Sequence, residues 1–188
     1  MTRKEQKEEK RNAILITALN LFVTRGYYET KITDIAAAVP MSTGLLFHYF
    51  DSKESLLTEL VKMGAEATGS FKPEGDMDPE LFLKGFLGKL FEYSKTQPWV
   101  FNMFVLMGQA RRPGMPEEAR QIALSVNTVK GSSKLIKAGQ AKGIFREGNP
   151  DLLAQCFWSA VQGIMEELAY NPKMKIPDPE WIIAVIKK

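Results

Sequence analysis

The apolar positions of this chain keep a helical period almost from end to end. Ile14, Ala18, Leu21 and Phe22 recur three and four residues apart, and Leu15 and Leu19 widen the stripe. The segment from about Lys4 to Arg25 therefore reads as a helix with one face to bury. Gly26 follows the last periodic residue and is suited to closing the helix, with Arg25 favourable at its negative end. The charged run ahead of Ile14 reads as a solvated, frayed start rather than a base-reading arm, with phosphate contacts by Arg3, Lys4 and Lys7 as the alternative. Ile32, Ile35 and Ala36 then share one helical face, and Met41, Leu46 and Phe50 follow at spacings that close two more turns over it. The succession is helix, short helix, three-residue turn, short helix, new helix, a pattern that presents one exposed helix to a DNA major groove. Thr30 is placed to cap the second helix, with Asp34 in its first turn, and Ser42 to cap the third. Pro40 cannot adopt positive φ, so the second helix is expected to stop by Ala38 and its turn to close in an unusual way. Asp51 or Ser52 caps a fourth helix, bound to the others by Leu56, Leu57, Leu60 and Val61.

Around Gly69 to Pro79 the composition turns to Gly, Pro, Asp and Lys, which marks a connection. Beyond it the pattern stays helical, without strand-like alternation. Helices are expected at about Pro79 to Thr96, Pro98 to Ala110, Pro116 to Ala141, Pro150 to Asn171 and Pro179 to Lys187. The implied organisation is a head at residues 1–50, a connecting helix at 51–68 and a second helical domain at 69–188.

Leu21, Phe22, Gly26, Tyr27, Thr30, Ile32, Ile35, Ala36, Val39, Ser42, Gly44, Leu46, Tyr49, Phe50, Lys53 and Leu56 stand in the order of a known signature. With it the segment Leu21–Leu57 resembles the DNA-binding domain of the tetracycline-repressor (TetR) family of bacterial transcription regulators. The resemblance implies an all-α fold: a three-helix, homeodomain-like helix-turn-helix head followed by a helical domain for ligand binding and dimerisation. It departs from the family at Pro40, where glycine is usual, and at Phe47, where tyrosine is common and gives a phosphate hydrogen bond. The outward residues Thr33, Ser42, Thr43, Gly44, Leu45, Phe47, His48 and Tyr49 are the candidate DNA contacts. Gly44 permits close approach, and Thr43 and Leu45 suit base edges or the thymine methyl. Lys53 is the family's recurring phosphate contact; without the family it is an exposed lysine. His48 has the alternative of a half-exposed surface residue.

Charge adds little to this picture. Formal net charge is +3, and across residues 1–62 the basic side chains barely outnumber the acidic ones, so phosphate contacts must be placed individually. No apolar run reaches the roughly 20 residues of a membrane span, and the charged start lacks a signal-peptide core, which points to the cytoplasm. The single cysteine, Cys156, excludes an internal disulfide framework and reads as a small buried residue rather than a redox sensor.

The second domain carries many aromatic and methionine side chains. Phe86, Trp99, Met103, Phe104, Met107, Phe157, Trp158 and Met165, with Gln162 and Glu166 as polar members, are candidates to line an apolar effector site. For any one of them a plain core role is the simpler reading. The stretch from Gly143 to Leu168 resembles the family's approach to its dimer interface. Cys156, Ser159, Ala160 and Gly163 are small enough for two helices to meet closely, and Trp181, Ile182, Val185 and Ile186 make the terminal helix too apolar for a free tail. Two copies of the last two helices would form a four-helix interface. The expected partners are an operator duplex, a small-molecule effector and a second copy of the chain, with no membrane, cofactor or metal. One histidine, one cysteine and the lack of a phosphate loop or nucleophile motif argue against an enzyme. The competing expectation is a helical ligand-binding or interaction module whose head no longer reads DNA.

Overall fold

The computed structural model describes residues 2–69, 71 and 77–188. Its regular structure among those residues is ten α-helices and one isolated antiparallel bridge between Phe145 and Lys187. The helices are α1 (Arg3–Arg25), α2 (Ile32–Ala38), α3 (Thr43–Phe47), α4 (Lys53–Thr68), α5 (Pro79–Thr96), α6 (Trp99–Ala110), α7 (Glu117–Ser125), α8 (Thr128–Ala141), α9 (Pro150–Tyr170) and α10 (Pro179–Ile183). Contacts divide the chain into two compact units, Met1–Ala65 with Val105–Leu124, and Glu66–Phe104 with Ser125–Lys188. The second half of α6 and all but the last residue of α7 thus group with the head, whereas sequence composition suggests a division at Gly69. Most of the expected connection between Gly69 and Pro79 lies outside the described residues. No described helix is long and apolar enough to cross a membrane.

In the first unit, α1 buries Ile14, Leu15, Ala18, Leu19, Phe22 and Val23. They join Ile35 and Ala36 of α2, Leu46 of α3, Phe50, and Leu56, Leu57, Leu60 and Val61 of α4 in the core. Each fully buried side chain of this size contributes roughly 1.5–3 kcal/mol. The frayed start expected for α1 is instead helical from Arg3. The Thr2 hydroxyl accepts the Glu5 N–H (3.2 Å) and the Glu5 carboxylate accepts the Thr2 N–H (2.7 Å), satisfying two amides that a helix leaves open. Gly26 closes the helix at φ 97°, a conformation that costs glycine little.

Thr30 does not cap α2. It is fully buried, and its hydroxyl donates to the Gly26 carbonyl at 2.8 Å, tying down the α1–α2 turn. The cap position is Lys31, whose N–H is taken by the Asp34 carboxylate at 2.9 Å. At the other end α2 stops at Ala38, as the proline requires. The turn nevertheless closes in the ordinary way for a helix terminus: the Met41 N–H reaches back to the Ala36 carbonyl at 3.0 Å. This bond spans a left-handed residue, and that residue is Pro40, at φ 22°. Proline supplies no N–H for the second bond of such a turn, and its ring favours φ near −65°. Ser42 caps α3 by accepting the Leu45 N–H at 3.2 Å. Ser52, of the two candidates, caps α4 in a reciprocal pair of bonds with Ser55 (3.0 and 3.1 Å).

The second unit is built on α8 and α9, with α5, α10 and the start of α6 packed around them. Where the sequence suggests one helix from Pro116 to Ala141, the chain breaks between α7 and α8. Asn127 makes the break: its side chain accepts the Lys130 N–H at 2.9 Å and starts a new helix. The terminal helix is also shorter than expected, ending at Ile183. The Arg146 guanidinium takes the Ala184 and Lys187 carbonyls (both 3.0 Å), and the Arg146 and Lys188 amides pair with the Ile186 and Ile144 carbonyls (3.0 and 3.1 Å). Backbone that would have continued the helix is thereby satisfied as a short bridge. Lys187 also reaches Glu80 of α5 (2.7 Å), which Lys84 contacts as well (3.0 Å), and these two ammonium groups hold the Glu80 carboxyl below its usual range.

Two local features of the fold are open to direct test. A Cβ on Gly139 would lie 2.2 Å from Cδ2 of the fully buried Phe145 ring. Gly139→Ala is expected to cost about 1–3 kcal/mol by overpacking, and adding Phe145→Leu should recover part of it. Urea titration of both variants checks this; an undiminished Gly139→Ala midpoint would show that the ring yields freely. Pro40→Gly is expected to stabilise the head by roughly 1–2 kcal/mol, since it relieves the strained φ and restores an N–H, less the added freedom of glycine when unfolded. A lower unfolding midpoint than the parent's would remove the strained-turn account.

Candidate nucleic-acid interface

The exposed side of α3 is assembled by what α3 buries. Leu46 is fully enclosed and Phe50, one turn on, is nearly so, which anchors a helix of only five residues and turns its remaining side chains outward. The Tyr49 and Phe50 amides both bond the Leu46 carbonyl (2.9 and 3.1 Å), so the helical path continues past Phe47 to the end of the segment. Ser42, Gly44, Leu45, Phe47 and His48 are exposed, and so is Thr33 at the start of α2. Thr43 and Tyr49 are half-buried at the margins. Met41, expected in the core, is half-buried beside the Pro40 turn. The candidates from Ser42 to Tyr49 therefore lie on or at the margins of this exposed segment, and Thr33 is exposed on α2. Phe47, 46% exposed, puts a bare ring there without a hydroxyl.

Lys53 has a different place from the exposed lysine of the sequence reading. Its ammonium donates to the Tyr27 and Thr30 carbonyls, each at 2.9 Å, and sits 4.3 Å from the centre of the Tyr27 ring. Burial lowers its pKa. Two of three N–H bonds are spent on the α1–α2 turn, leaving one for any other acceptor. Burial also pushes the Tyr27 hydroxyl up to about 12, helped by the Glu54 carboxylate and Tyr28. Next to it, the exposed Tyr28 hydroxyl donates to the Gly114 carbonyl in the α6–α7 turn. Sequence spacing gave no sign of either contact, because both join residues far apart in the chain.

In the second unit the effector candidates separate into groups. Phe157 and Met165 are fully buried, and Met103 and Trp158 nearly so. Trp158 is the hub of edge-on ring contacts with Phe71 (5.2 Å), Phe86 (5.8 Å) and Phe157 (5.4 Å), and its indole N–H donates to the buried Ser132 hydroxyl at 2.6 Å. Phe71 and Ser132 escape a sequence reading: one is a lone ring within the polar connection, the other a serine in a polar run. Phe86, Phe104, Gln162 and Glu166 are half-buried. The Gln162 amide donates to the Phe104 carbonyl (3.0 Å) and to the Glu166 carboxylate (2.7 Å), so the two polar candidates act as one unit. Trp99 is engaged at the α5–α6 corner, with its N–H on Gln97 (2.9 Å) and its ring near Tyr93. Met107 falls in the first unit, apart from the others in the division by contacts.

The interface candidates divide in the same way. Cys156 is exposed, not buried as its type suggests, because it faces away from the inward residues Ala154, Phe157, Trp158 and Val161. With Leu152, Ser159 and Gly163 it forms an outward stripe on α9, to which Ala160 is half-buried. Trp181 is 73% exposed and Val185 is also outside. Ile182 and Ile186 are at 2% and 0% exposure and complete the core of their own chain, so they are unavailable to a partner. α10 is only five residues long, shorter than the terminal helix expected to pair beside α9.

Residues 14–60 match the model of the family described as bacterial regulatory proteins, tetR family. The chain is 44% identical over 50 residues to the HTH-type transcriptional regulator HbdR of Aromatoleum sp. (strain CIB), a match covering 27% of this chain and 22% of HbdR. Its fold is similar to the crystal structure of the MbdR regulator from Azoarcus sp. CIB, with a TM-score of 0.76 at 22% identity over 94% of each chain. It is similar also to AibR, solved in complex with isovaleryl coenzyme A and operator DNA, with a TM-score of 0.69 at 21% identity over 93% of this chain and 94% of that one. The matched head and the whole-chain likeness of fold agree: residues 14–60 carry the DNA-binding domain of the tetR family, and the chain as a whole shares the fold of these regulators.

Proposed function

We propose that this chain is a transcription regulator that binds a palindromic operator as a homodimer and is released from it by a small apolar or aromatic-bearing molecule. The observation that carries the reading is the α3 segment: a short helix anchored by Leu46 and Phe50, with Ser42, Gly44, Leu45, Phe47 and His48 exposed around it. Gly44 lets the backbone approach a duplex, Thr43 and Leu45 meet base edges and methyl groups, and Ser42, His48 and Tyr49 take phosphates. Thr33 joins them from α2. Lys53 chiefly braces the head and offers its remaining N–H to the backbone.

The outward stripe of α9, Leu152, Cys156, Ser159 and Gly163, with Trp181 and Val185, is the pairing surface in this reading. Small residues allow two copies of α9 to approach closely, and Leu152 and Trp181 supply apolar area. The two heads then meet successive major grooves, roughly 34–36 Å apart. The half-buried Phe86, Phe104, Gln162 and Glu166 are the contact residues for an effector, walled by Phe157, Trp158 and Met165. AibR, which shares the fold, was solved with both an acyl-CoA and operator DNA, which supports placing the two functions in one such chain. Action as a repressor within the cytoplasm completes the reading.

Selection of bound fragments from a random DNA pool tests the DNA half. A palindrome is the expected product, and Thr43→Ala should relax preference at one position per half-site, where a good contact is worth about 1–3 kcal/mol. Recovery of no preferred sequence would favour the ligand-binding or interaction module over the regulator. For the effector half, a compound that raises the melting temperature should weaken operator affinity by about tenfold, equivalent to roughly 1.4 kcal/mol of coupling. Phe86→Ala and Phe104→Ala should reduce that effect while sparing effector-free operator binding. Stabilising compounds that leave operator affinity unchanged would sink the effector assignment alone.

A further inference from the structure

The first two turns of α1 lie outside the matched family domain and bury nothing: residues 3 to 10 are all exposed. Their charges are sorted along the helix. Arg3, Lys7 and Lys10 stand at i, i+4 and i+7, and Lys4, Lys7 and Arg11 at i, i+3 and i+7, so the five make one basic stripe. Glu5, Glu8 and Glu9 fall on an adjoining stripe at i, i+3 and i+4. The basic stripe runs on in register into Ile14, Leu15, Ala18 and Phe22, the side of α1 that enters the core. It therefore overhangs the head on its inward side. Arg11 marks the junction, with its guanidinium 5.0 Å from the centre of the Phe50 ring and one nitrogen 2.8 Å from Glu59 of α4.

This arrangement does not serve the helix itself. Like charges three and four residues apart, such as Arg3 and Lys7 or Lys7 and Arg11, destabilise an isolated helix. The capped start holds the stripe in helical form despite that cost. From Arg3 to Arg11 the helix spans about 12 Å, enough to face more than one phosphate of a DNA strand whose charges rise about 3.4 Å apart along the duplex axis. Phe50 closes the α3 segment, so the stripe starts where that segment ends. Residues 3 to 10 contain no apolar side chain with which to enter a lipid surface. We propose that the N-terminal overhang of α1 is a second DNA-contact element, with Arg3, Lys4, Lys7 and Lys10 lying along the phosphates of duplex that flanks the site read by α3. The proposal rests on the regulator reading and extends its footprint beyond the bases that α3 reaches. It also supplies basic contacts that the near-balanced charge of the head otherwise lacks.

The experiment compares the full-length parent with the Lys4→Gln/Lys7→Gln/Lys10→Gln variant on a mixed-sequence duplex of about 30 base pairs across a salt series. The variant should lose about 2–3 units of the slope of log K against log salt, near 0.9 unit per phosphate. Glu8→Gln/Glu9→Gln should leave the slope unchanged. On a selected operator, trimming the flanks should weaken the parent and not the triple variant. Circular dichroism checks that helicity is retained, and where the triple variant is less helical, Lys7→Gln alone should lower the slope by about one unit. Equal slopes for parent and variant, or equal sensitivity to trimming, would overturn the proposal while leaving α3 reading intact. Failure of the parent to bind any duplex would remove the regulator reading itself. Lysine-dependent binding to phosphatidylserine vesicles in place of DNA would assign the stripe to a membrane surface and overturn it as well.

Discussion

The Lys53 ammonium is the point on which the geometry of the head turns. It stands at the first residue of α4 and binds two carbonyls of the α1–α2 turn, at Tyr27 and Thr30. Everything between those points, α2, the Pro40 turn and α3, is a bracket held at both ends by one side chain. A five-residue helix has almost no stability of its own, so α3 keeps its position through Leu46, Phe50 and this closure. Charge-assisted bonds to carbonyls are worth more than neutral ones. Removal of the ammonium would leave partly buried oxygens without donors. The residue that the family resemblance marks as a phosphate contact is thus first a structural brace.

The second unit solves a related problem with different means. Its two central helices, α8 and α9, meet around Trp158, whose N–H must find a partner inside the core and finds the Ser132 hydroxyl. At the ends of α8 and α9 the chain uses Gly139, where the Phe145 ring occupies the space a side chain would need. Phe145 then begins the short bridge that fastens the C-terminal residues. Apolar burial and one satisfied indole fix the interior, while half-buried Phe86, Phe104, Gln162 and Glu166 remain at its edge with an amide–carboxylate pair already formed among them. In the proposed reading, a polar pair of that kind would orient an effector in a region otherwise made of rings.

What the sequence disclosed and what it hid have distinct physical origins. The helices of the head are legible because Ile14, Ala18, Phe22, Ile35, Leu46 and Phe50 repeat at helical spacing, and spacing is a local property. The position of Ser42 before α3 is legible for the same reason. Thr30 misleads: by type and position it suits a helix cap, but burial of its hydroxyl gives it the Gly26 carbonyl instead. Asn127 is hidden in a polar run whose helical character continues on both sides, so only its cap bond reveals the break. Cys156 shows the limit of residue type as a guide, since the helical face decides burial and its face on α9 is outward. The Tyr27–Lys53, Tyr28–Gly114 and Trp158–Ser132 contacts depend on tertiary proximity, which a single sequence does not carry.

The weak charge of the head bears on how such a protein holds DNA at all. Affinity for a duplex comes mainly from neutralised phosphates, whereas preference among sequences comes from base edges. On α3 none of the side chains that project outward is a lysine or arginine, and the nearest lysine along the chain is committed to the α1–α2 turn. As the proposed reader of DNA, a head of this make would distinguish sequences better than it grips the backbone. The basic side chains that can supply grip lie before Ile14, on a helix prolonged and capped beyond the length that core burial requires. In the proposed reading, sequence recognition and backbone grip are divided between two ends of the same small unit, with Phe50 and Arg11 at the join.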